Sequence, residues 1–316
     1  MLKHFAYLVI LIIGFGCKNE MPKEYTINDK FLVPEGIDYS VDYDAFYLSS
    51  IAQSKIIKID RGTGKQEDFI KSNAYGYMPG VGVLINDKEN VLYALGGYYM
   101  FKDSLSSLFA FDLKSKKLLK KYIAHHEGEH FLNDLIMDKE GNLFLTDSKG
   151  ASIYTLKKGG NSLELFYKSK EIEYPNGIAI SDDNTKLYIA TYFNGIRVLD
   201  IENKTILNKR DTLGYSQRID GLEFYKGNLF AVQKGNEKIA NNFKKLILNN
   251  DQTEILGQEI IDSTNPYLRK PLTFCIVQNK AVVIANSNLQ FLDQTEFTFK
   301  KKDSIQKTKL LVYDIE

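Results

Sequence analysis

A short unit recurs six times along this chain. In its clearest copy, Tyr174-Pro175-Asn176-Gly177-Ile178-Ala179-Ile180 runs into a polar turn, Ser181 to Thr185, and then into Leu187-Tyr188-Ile189-Ala190-Thr191. Proline restricts the backbone of the opening turn and glycine permits a tight approach. The apolar run that follows has the size of a buried strand, and the second run is rich in β-formers. The unit returns as Pro34-Glu35-Gly36-Ile37 leading to Ala45-Phe46-Tyr47-Leu48, and as Leu132-Asn133-Asp134-Leu135 leading to Asn142-Leu143-Phe144-Leu145. It returns again as Ile219-Asp220-Gly221-Leu222 leading to Asn228-Leu229-Phe230-Ala231. Weaker copies begin at Pro79-Gly80-Val81-Gly82 and Pro271-Leu272-Thr273-Phe274. The starts lie roughly 43 to 54 residues apart, the length of a four-stranded propeller blade. With no convincing amphipathic helix, this spacing predicts an all-β fold, a six-bladed β-propeller of four-stranded blades spanning residues 25–316.

Closing such a ring usually takes a strand from each chain end. Tyr25 to Val33 and Thr308 to Ile315 both have strand character, and they are expected to meet in one blade. The 39 Tyr and Phe residues, 20 and 19 respectively, then have an ordinary place between neighbouring blades. A net charge of +1 gives no reason to expect nucleic acid as a partner.

Residues 1–17 read as a targeting segment. Lys3 supplies a positive start, and the apolar run from Phe5 to Phe15 is too short to cross a bilayer of roughly 30 Å as a stable helix. The run ends in Gly14-Phe15-Gly16-Cys17 and gives way to Lys18-Asn19-Glu20. This resembles a bacterial lipoprotein signal in which Cys17 is lipidated and becomes the first mature residue, although Gly14 stands where a branched apolar residue is usual. The alternative is an ordinary signal peptide cleaved elsewhere, or an uncleaved anchor. With Cys17 lipidated, residues 18–24 form a tether, and a monomer is held at the bacterial cell envelope through its lipid alone, on the periplasmic face or the cell surface. Cys275 is the other cysteine, so the mature chain has no internal disulfide to form. Its neighbours Phe274 and Ile276 mark it as a buried structural thiol.

Aligned on their second strands, the four clear units place Glu35, Asn133, Asn176 and Asp220 at one position. The first strand of a propeller blade lines the central channel, so residues just before it ring one mouth. Two carboxylates and two amide oxygens make a hard, oxygen-only site. Calcium, which takes about 6–8 oxygen ligands with water completing the shell, suits it. Zinc and copper are disfavoured by the lack of imidazole and thiolate. Turn preference alone would explain Asn133, Asn176 and Asp220, but explains Glu35 poorly.

These motifs carry a resemblance. Pro34-Glu35-Gly36, Asn133-Asp134, Pro175-Asn176-Gly177-Ile178 with Ser181-Asp182-Asp183, and Asp220-Gly221 are similar to those of the calcium-dependent six-bladed propellers of the regucalcin/gluconolactonase (senescence marker protein) family. Diisopropyl fluorophosphatase, paraoxonase and strictosidine synthase are more distant relatives. The resemblance spans essentially the whole mature chain. It implies that Glu35, Asn176 and Asp220 hold a catalytic calcium, that Asn133 binds the metal or contacts substrate, and that Asp220 serves as base or nucleophile. Sugar-lactonase members often carry an arginine two residues before the position of Asn133; here that residue is Phe131. Blades two and six are degenerate at the ring position.

One further cluster, His125-His126-Glu127-Gly128-Glu129-His130, lacks the spacing of the helical zinc motif. It reads either as a polar connecting loop or as a loop overhanging the pocket, where His130 or His126 could act as a general base. The leading expectation is a calcium-dependent hydrolase of a lactone or related ester, a small-molecule substrate. Calcium would polarise the carbonyl, and Asp220, aided by a loop histidine such as His130, would activate water or attack directly. The rival is a non-catalytic propeller that calcium braces and whose channel mouth binds a ligand or protein. A streptogramin-type lyase would need a different constellation.

Overall fold

The computed structural model describes residues 20–100, 105–124 and 128–316. Within them, six antiparallel blade sheets follow one another in chain order, and a two-stranded sheet, Leu292–Asp293 with Thr298–Phe299, is inserted before the last strand. Blade one runs from Pro34 to Ile70, blade two from Gly80 to Ile123, blade three from Leu132 to Lys168, blade four from Pro175 to Asp200, and blade five from Ile219 to Asp262. Blade six takes Phe274–Val277, Lys280–Ile284 and Lys309–Asp314 from the C-terminal part and Glu24–Thr26 from the N-terminal part. Tyr25 pairs there with Leu310 and Glu24 with Leu311, so both ends of the chain close one blade as expected. The first strand of each blade packs on that of the next, and those of blades six and one complete the ring.

Packing energy resides between the blades. Each blade turns alternate side chains of its middle strands to either neighbour, so the core is a series of wedges rather than one globule. Between blades six and one the wedge contains Ile27, Phe46, Ile57 and Val282; between blades one and two it contains Tyr47, Phe69, Leu92 and Phe109. Aromatic rings join across these seams as anticipated. Tyr188 of blade four stacks on Phe224 of blade five at 5.5 Å, and Phe243 of blade five meets Phe274 of blade six edge-on at 5.1 Å. Burial of each such side chain contributes about 1.5–3 kcal/mol. Cys275 is a buried free thiol in the blade-six wedge, and burial pushes its pKa well above the ordinary thiol value.

Blade four departs from the four-stranded expectation, with three strands. Its outer edge is met first by backbone, with Leu199 bridging Ile206 and Leu207 N donating to Val198 O at 2.8 Å, and then by a side chain. Asn208 Oδ1 accepts from Val198 N at 2.9 Å while Asn208 Nδ2 donates to Ile196 O at 2.8 Å. Asp211 then gathers the amides of Leu213, Gly214 and Ser216 into a loop. Among the described residues, no helix is long and apolar enough to cross a membrane. Cys17 and the rest of the targeting segment lie outside the described residues.

Candidate active site

One backbone irregularity, repeated from blade to blade, places the ring residues. In blade one Pro34 pairs with Ser50 but Ile37 pairs with Leu48, leaving one extra residue at Glu35-Gly36. The same bulge falls at Val81-Gly82, Asn133-Asp134, Asn176-Gly177 and Asp220-Gly221. A bulge bends its strand and re-aims a side chain. Here it follows residues already in unusual conformations: Val33, Tyr174 and Arg218 have φ of 47°, 51° and 58°. Such left-handed values are rare for non-glycine residues, above all for β-branched valine, and gather where geometry matters. Glycine after the ring residue lets the next blade come close. A Cβ on Gly36 would stand 2.3 Å from Val81 O, and one on Gly177 would stand 2.3 Å from Asp220 O.

The four predicted residues meet. Glu35, Asn133, Asn176 and Asp220 line one void of about 10 Å³, completed by Gly82, Asp134 and Thr273. That is close to the volume of a single water-sized particle. Three of the four carry side-chain oxygens free of protein partners among the described residues, and the fourth, Asp220, is paired with Lys234. Ser148 Oγ donates to Pro175 O at 2.6 Å, so toward Asn133 it can only accept; it takes Asn133 Nδ2 at 2.9 Å and leaves Asn133 Oδ1 as the available atom. No hydrogen bond reaches the side chains of Glu35 or Asn176 among the described residues. Asp220 Oδ2 is buried and forms an ion pair with Lys234 Nζ, yet receives no hydrogen bond of acceptable geometry. Burial, followed by the Asp220 and Asp134 carboxylates, pushes the Glu35 pKa well above its ordinary value, with Lys234 opposing. The all-oxygen donors of this set are of the kind that calcium takes. Among the described residues no group of three His, Cys, Asp or Glu side chains is placed to hold a metal ion, and two of the four ring residues are carboxamides.

Above the void, the same four side chains form part of the wall of a cavity of about 530 Å³. That is within the range of small-molecule sites, roughly 300–1,000 Å³. The remaining wall is mostly apolar and includes Phe131, Tyr174, Tyr192, Phe193, Ile51 and Leu272. The degenerate blades contribute Val81 and Leu272 at the ring position, which accounts for part of this character. Farther along the channel, a cavity of about 230 Å³ is lined by Asp38, Asp134 and Glu223 among others. Asp38 and Asp134 staple neighbouring blades, accepting from Ile85 N at 2.6 Å and Ile178 N at 3.2 Å. Burial pushes Asp38 up to about 7 against the hydrogen bonds it accepts from the Ile85 and Tyr39 amides, and pushes Glu223 well above its ordinary range.

His130 lies against a buried acid rather than in the cavity wall. It does not line the 530 Å³ cavity; its neighbour Phe131 does. His130 Nδ1 lies 2.6 Å from Oδ2 of the fully buried Asp147, whose Oδ1 accepts from Phe131 N at 2.8 Å. The physical reason is that Asp147, at the end of the second strand, needs partners once buried, and His130 supplies one. His125 and His126 lie outside the described residues.

Lys234 escaped the sequence reading, along with a second ring to which it belongs. The residues immediately after the second strands of blades one, three, four and five are Ile51, Ser148, Tyr192 and Lys234, and all four line the cavity. The strand alignment that found the first ring contained this one too, but Lys234-Gly235-Asn236 looks like a solvent turn. Burial pulls the Lys234 pKa down, but Asp220 and Glu35 more than offset it and hold the ammonium above its usual value.

The fold is a six-bladed β-propeller with the four ring residues gathered at one void in its channel. A family model described as "SMP-30/Gluconolactonase/LRE-like region" matches residues 33–241, more than half of the chain, and the chain belongs to that family. It is 26% identical over 188 residues to Lactonase drp35 of Staphylococcus haemolyticus (strain JCSC1435), covering 56% of this chain and 54% of that relative. The match thus spans about half the length of the curated relative. In fold it is similar to the calcium-binding protein regucalcin from Agrobacterium tumefaciens, with a TM-score of 0.61, 13% identity, and coverage of 92% of this chain and 95% of that one. Virginiamycin B lyase from Staphylococcus aureus is similar too, with a TM-score of 0.59, 16% identity, and coverage of 83% and 80%. At such identities these structures share the fold alone.

Proposed function

We propose that this protein is a calcium-dependent hydrolase of a lactone or related ester, acting at the mouth of the propeller channel. One observation carries this: four oxygen-bearing side chains from four blades line a single ion-sized void and also the wall of a ligand-sized cavity. Family membership and the partial match to a lactonase support a small-molecule substrate of this class. Glu35, Asn133, Asn176 and Asp220 would hold the ion, and bound calcium would polarise a carbonyl oxygen as a Lewis acid. Asp220 takes a proton from a water molecule whose oxygen adds to the acyl carbon. The acyl–oxygen bond then breaks, the proton held by Asp220 passes to the leaving oxygen, and a carboxylic acid and an alcohol result. Phe131, Tyr174 and Tyr192 shield the reacting centre from bulk water and suit an apolar acyl body better than a hydroxyl-rich sugar. With Cys17 lipidated, the enzyme would work from a bacterial membrane surface as a tethered monomer.

A second reading, a cation-braced binding propeller without catalysis, is favoured by the Lys234 ammonium on Asp220 Oδ2, the oxygen a base would use. Turnover decides between them. Aryl esters and five- and six-membered lactones are assayed with calcium and with a chelator. Calcium-dependent hydrolysis is expected, and a protein that binds calcium but hydrolyses nothing on a broad panel is the binding propeller.

A further inference from the structure

Lys234 puts a charge where the second ring is otherwise neutral, with Ile51, Ser148 and Tyr192 at the matching positions. Its backbone is held from several directions. Arg218 Nε donates to Lys234 O at 3.1 Å and Arg218 Nη2 to Gly235 O at 3.0 Å, while Lys234 N donates to Arg218 O at 3.0 Å. The Arg218 guanidinium also lies over the Tyr192 ring at 5.0 Å. The ammonium therefore reaches Asp220 from a fixed base, on a flexible stem.

Asp220 faces the ion-sized void and pairs with this ammonium at once. A divalent ion in the void and an ammonium on the same buried carboxylate repel strongly at such range in a weakly polar site. A displaced Lys234 has the 530 Å³ cavity to turn into. Among the described residues lining that cavity, the acids are Glu35 and Asp220, and both belong to the ring. The cavity wall thus offers the displaced ammonium no acid outside the ring, and a ligand carboxylate is a partner it can take.

We propose that Lys234 is a tethered counter-cation that competes with the metal for Asp220 and, once displaced, makes the metal-loaded cavity a receptor for an apolar ligand bearing a carboxylate. This rests on the metal site proposed above and adds to it the charge of the ligand. Two consequences are measurable. Removing the ammonium tightens calcium binding. A carboxylate ligand and calcium strengthen each other's binding by the same factor, as linkage requires.

Calcium is titrated calorimetrically into chelator-treated wild type, Lys234→Met and Lys234→Arg, with and without 3-phenylpropionate, and in wild type with the neutral 3-phenylpropionamide. Lys234→Met should bind calcium about tenfold tighter than wild type, and Lys234→Arg should not, because it keeps the charge. The carboxylate should tighten calcium binding to wild type about fivefold, a typical coupling, while the amide leaves it unchanged. The carboxylate–amide comparison needs no variant, so it decides the matter even if Lys234→Met does not fold. Equal or weaker calcium binding by Lys234→Met, or equal effects of carboxylate and amide, overturns the proposal while the metal site stands. Calcium binding by neither wild type nor Lys234→Met removes the metal site and this proposal together.

Discussion

Ser148 orients Asn133: it accepts Asn133 Nδ2 at 2.9 Å because its own proton is committed to Pro175 O at 2.6 Å. The amide oxygen is thereby left as the atom available to an ion. Removing a group that orients a metal ligand typically weakens metal binding about 10–100-fold. Ser148→Ala should weaken calcium binding by about tenfold, measured by titration calorimetry, with the far-ultraviolet spectrum unchanged. Undiminished affinity would show that Asn133 is not a ligand.

Calcium should also act as a stabiliser. A ligand that binds only the native state contributes about 2.7 kcal/mol at a hundredfold excess over its dissociation constant. The melting temperature should rise with calcium and fall with a chelator, and Glu35→Gln, which removes one of the two ring carboxylates, should abolish most of the difference. A wild type indifferent to calcium would discard the ion altogether.

Asp220→Asn separates ligand from base. The substitution keeps the size and one oxygen while removing the proton-accepting carboxylate. At saturating calcium, turnover on the best ester or lactone should fall by about 10²–10⁴ while the calcium-induced thermal shift persists. If activity survives with calcium bound, Asp220 only holds the ion.

The lower channel gives a pH dependence of unusual sign. Asp38 is pushed up to about 7 and Glu223 well above its ordinary value, chiefly by burial. Because the folded pKa exceeds the unfolded one, near 3.9 for Asp, the native state binds more protons across that interval. This stabilisation is full below about pH 4 and is lost as the pH rises through about 7. In chelator, these groups should lower the melting temperature across that window. No hydrogen bond reaches the Glu223 side chain among the described residues, so Glu223→Gln should raise the melting temperature at pH 8 by roughly 2 °C or more and change it little near pH 4. An equal effect at both values contradicts the assignment.

Anchoring is tested at Cys17. Cys17→Ser should shift the protein from the detergent phase to the aqueous phase, or halt its processing. Unchanged partitioning and mass would remove the lipid from the account.

Within the site, legibility followed distance along the chain. Glu35, Asn133, Asn176 and Asp220 were legible because each sits at a fixed offset from its own strands, and the repeated bulge carries that offset unchanged into space. The partner of His130 is Asp147, across a strand pair, a contact that the sequence alone could not show. Lys234 was overlooked because a lysine in a polar turn looks solvated until Arg218 fixes that turn against the ring.

By itself, then, the sequence determined the blade repeat, the closure of the ring by both chain ends and the four-residue constellation. Those follow from strand period, turn chemistry and spacing, which are local properties repeated along the chain. Only the tertiary structure decided that blade four ends on Asn208, that Phe131 rather than His130 faces the cavity, and that Lys234 shares Asp220 with the void. Each of these depends on which side chain satisfies a buried partner contributed by another strand, and that choice exists only once the blades are packed.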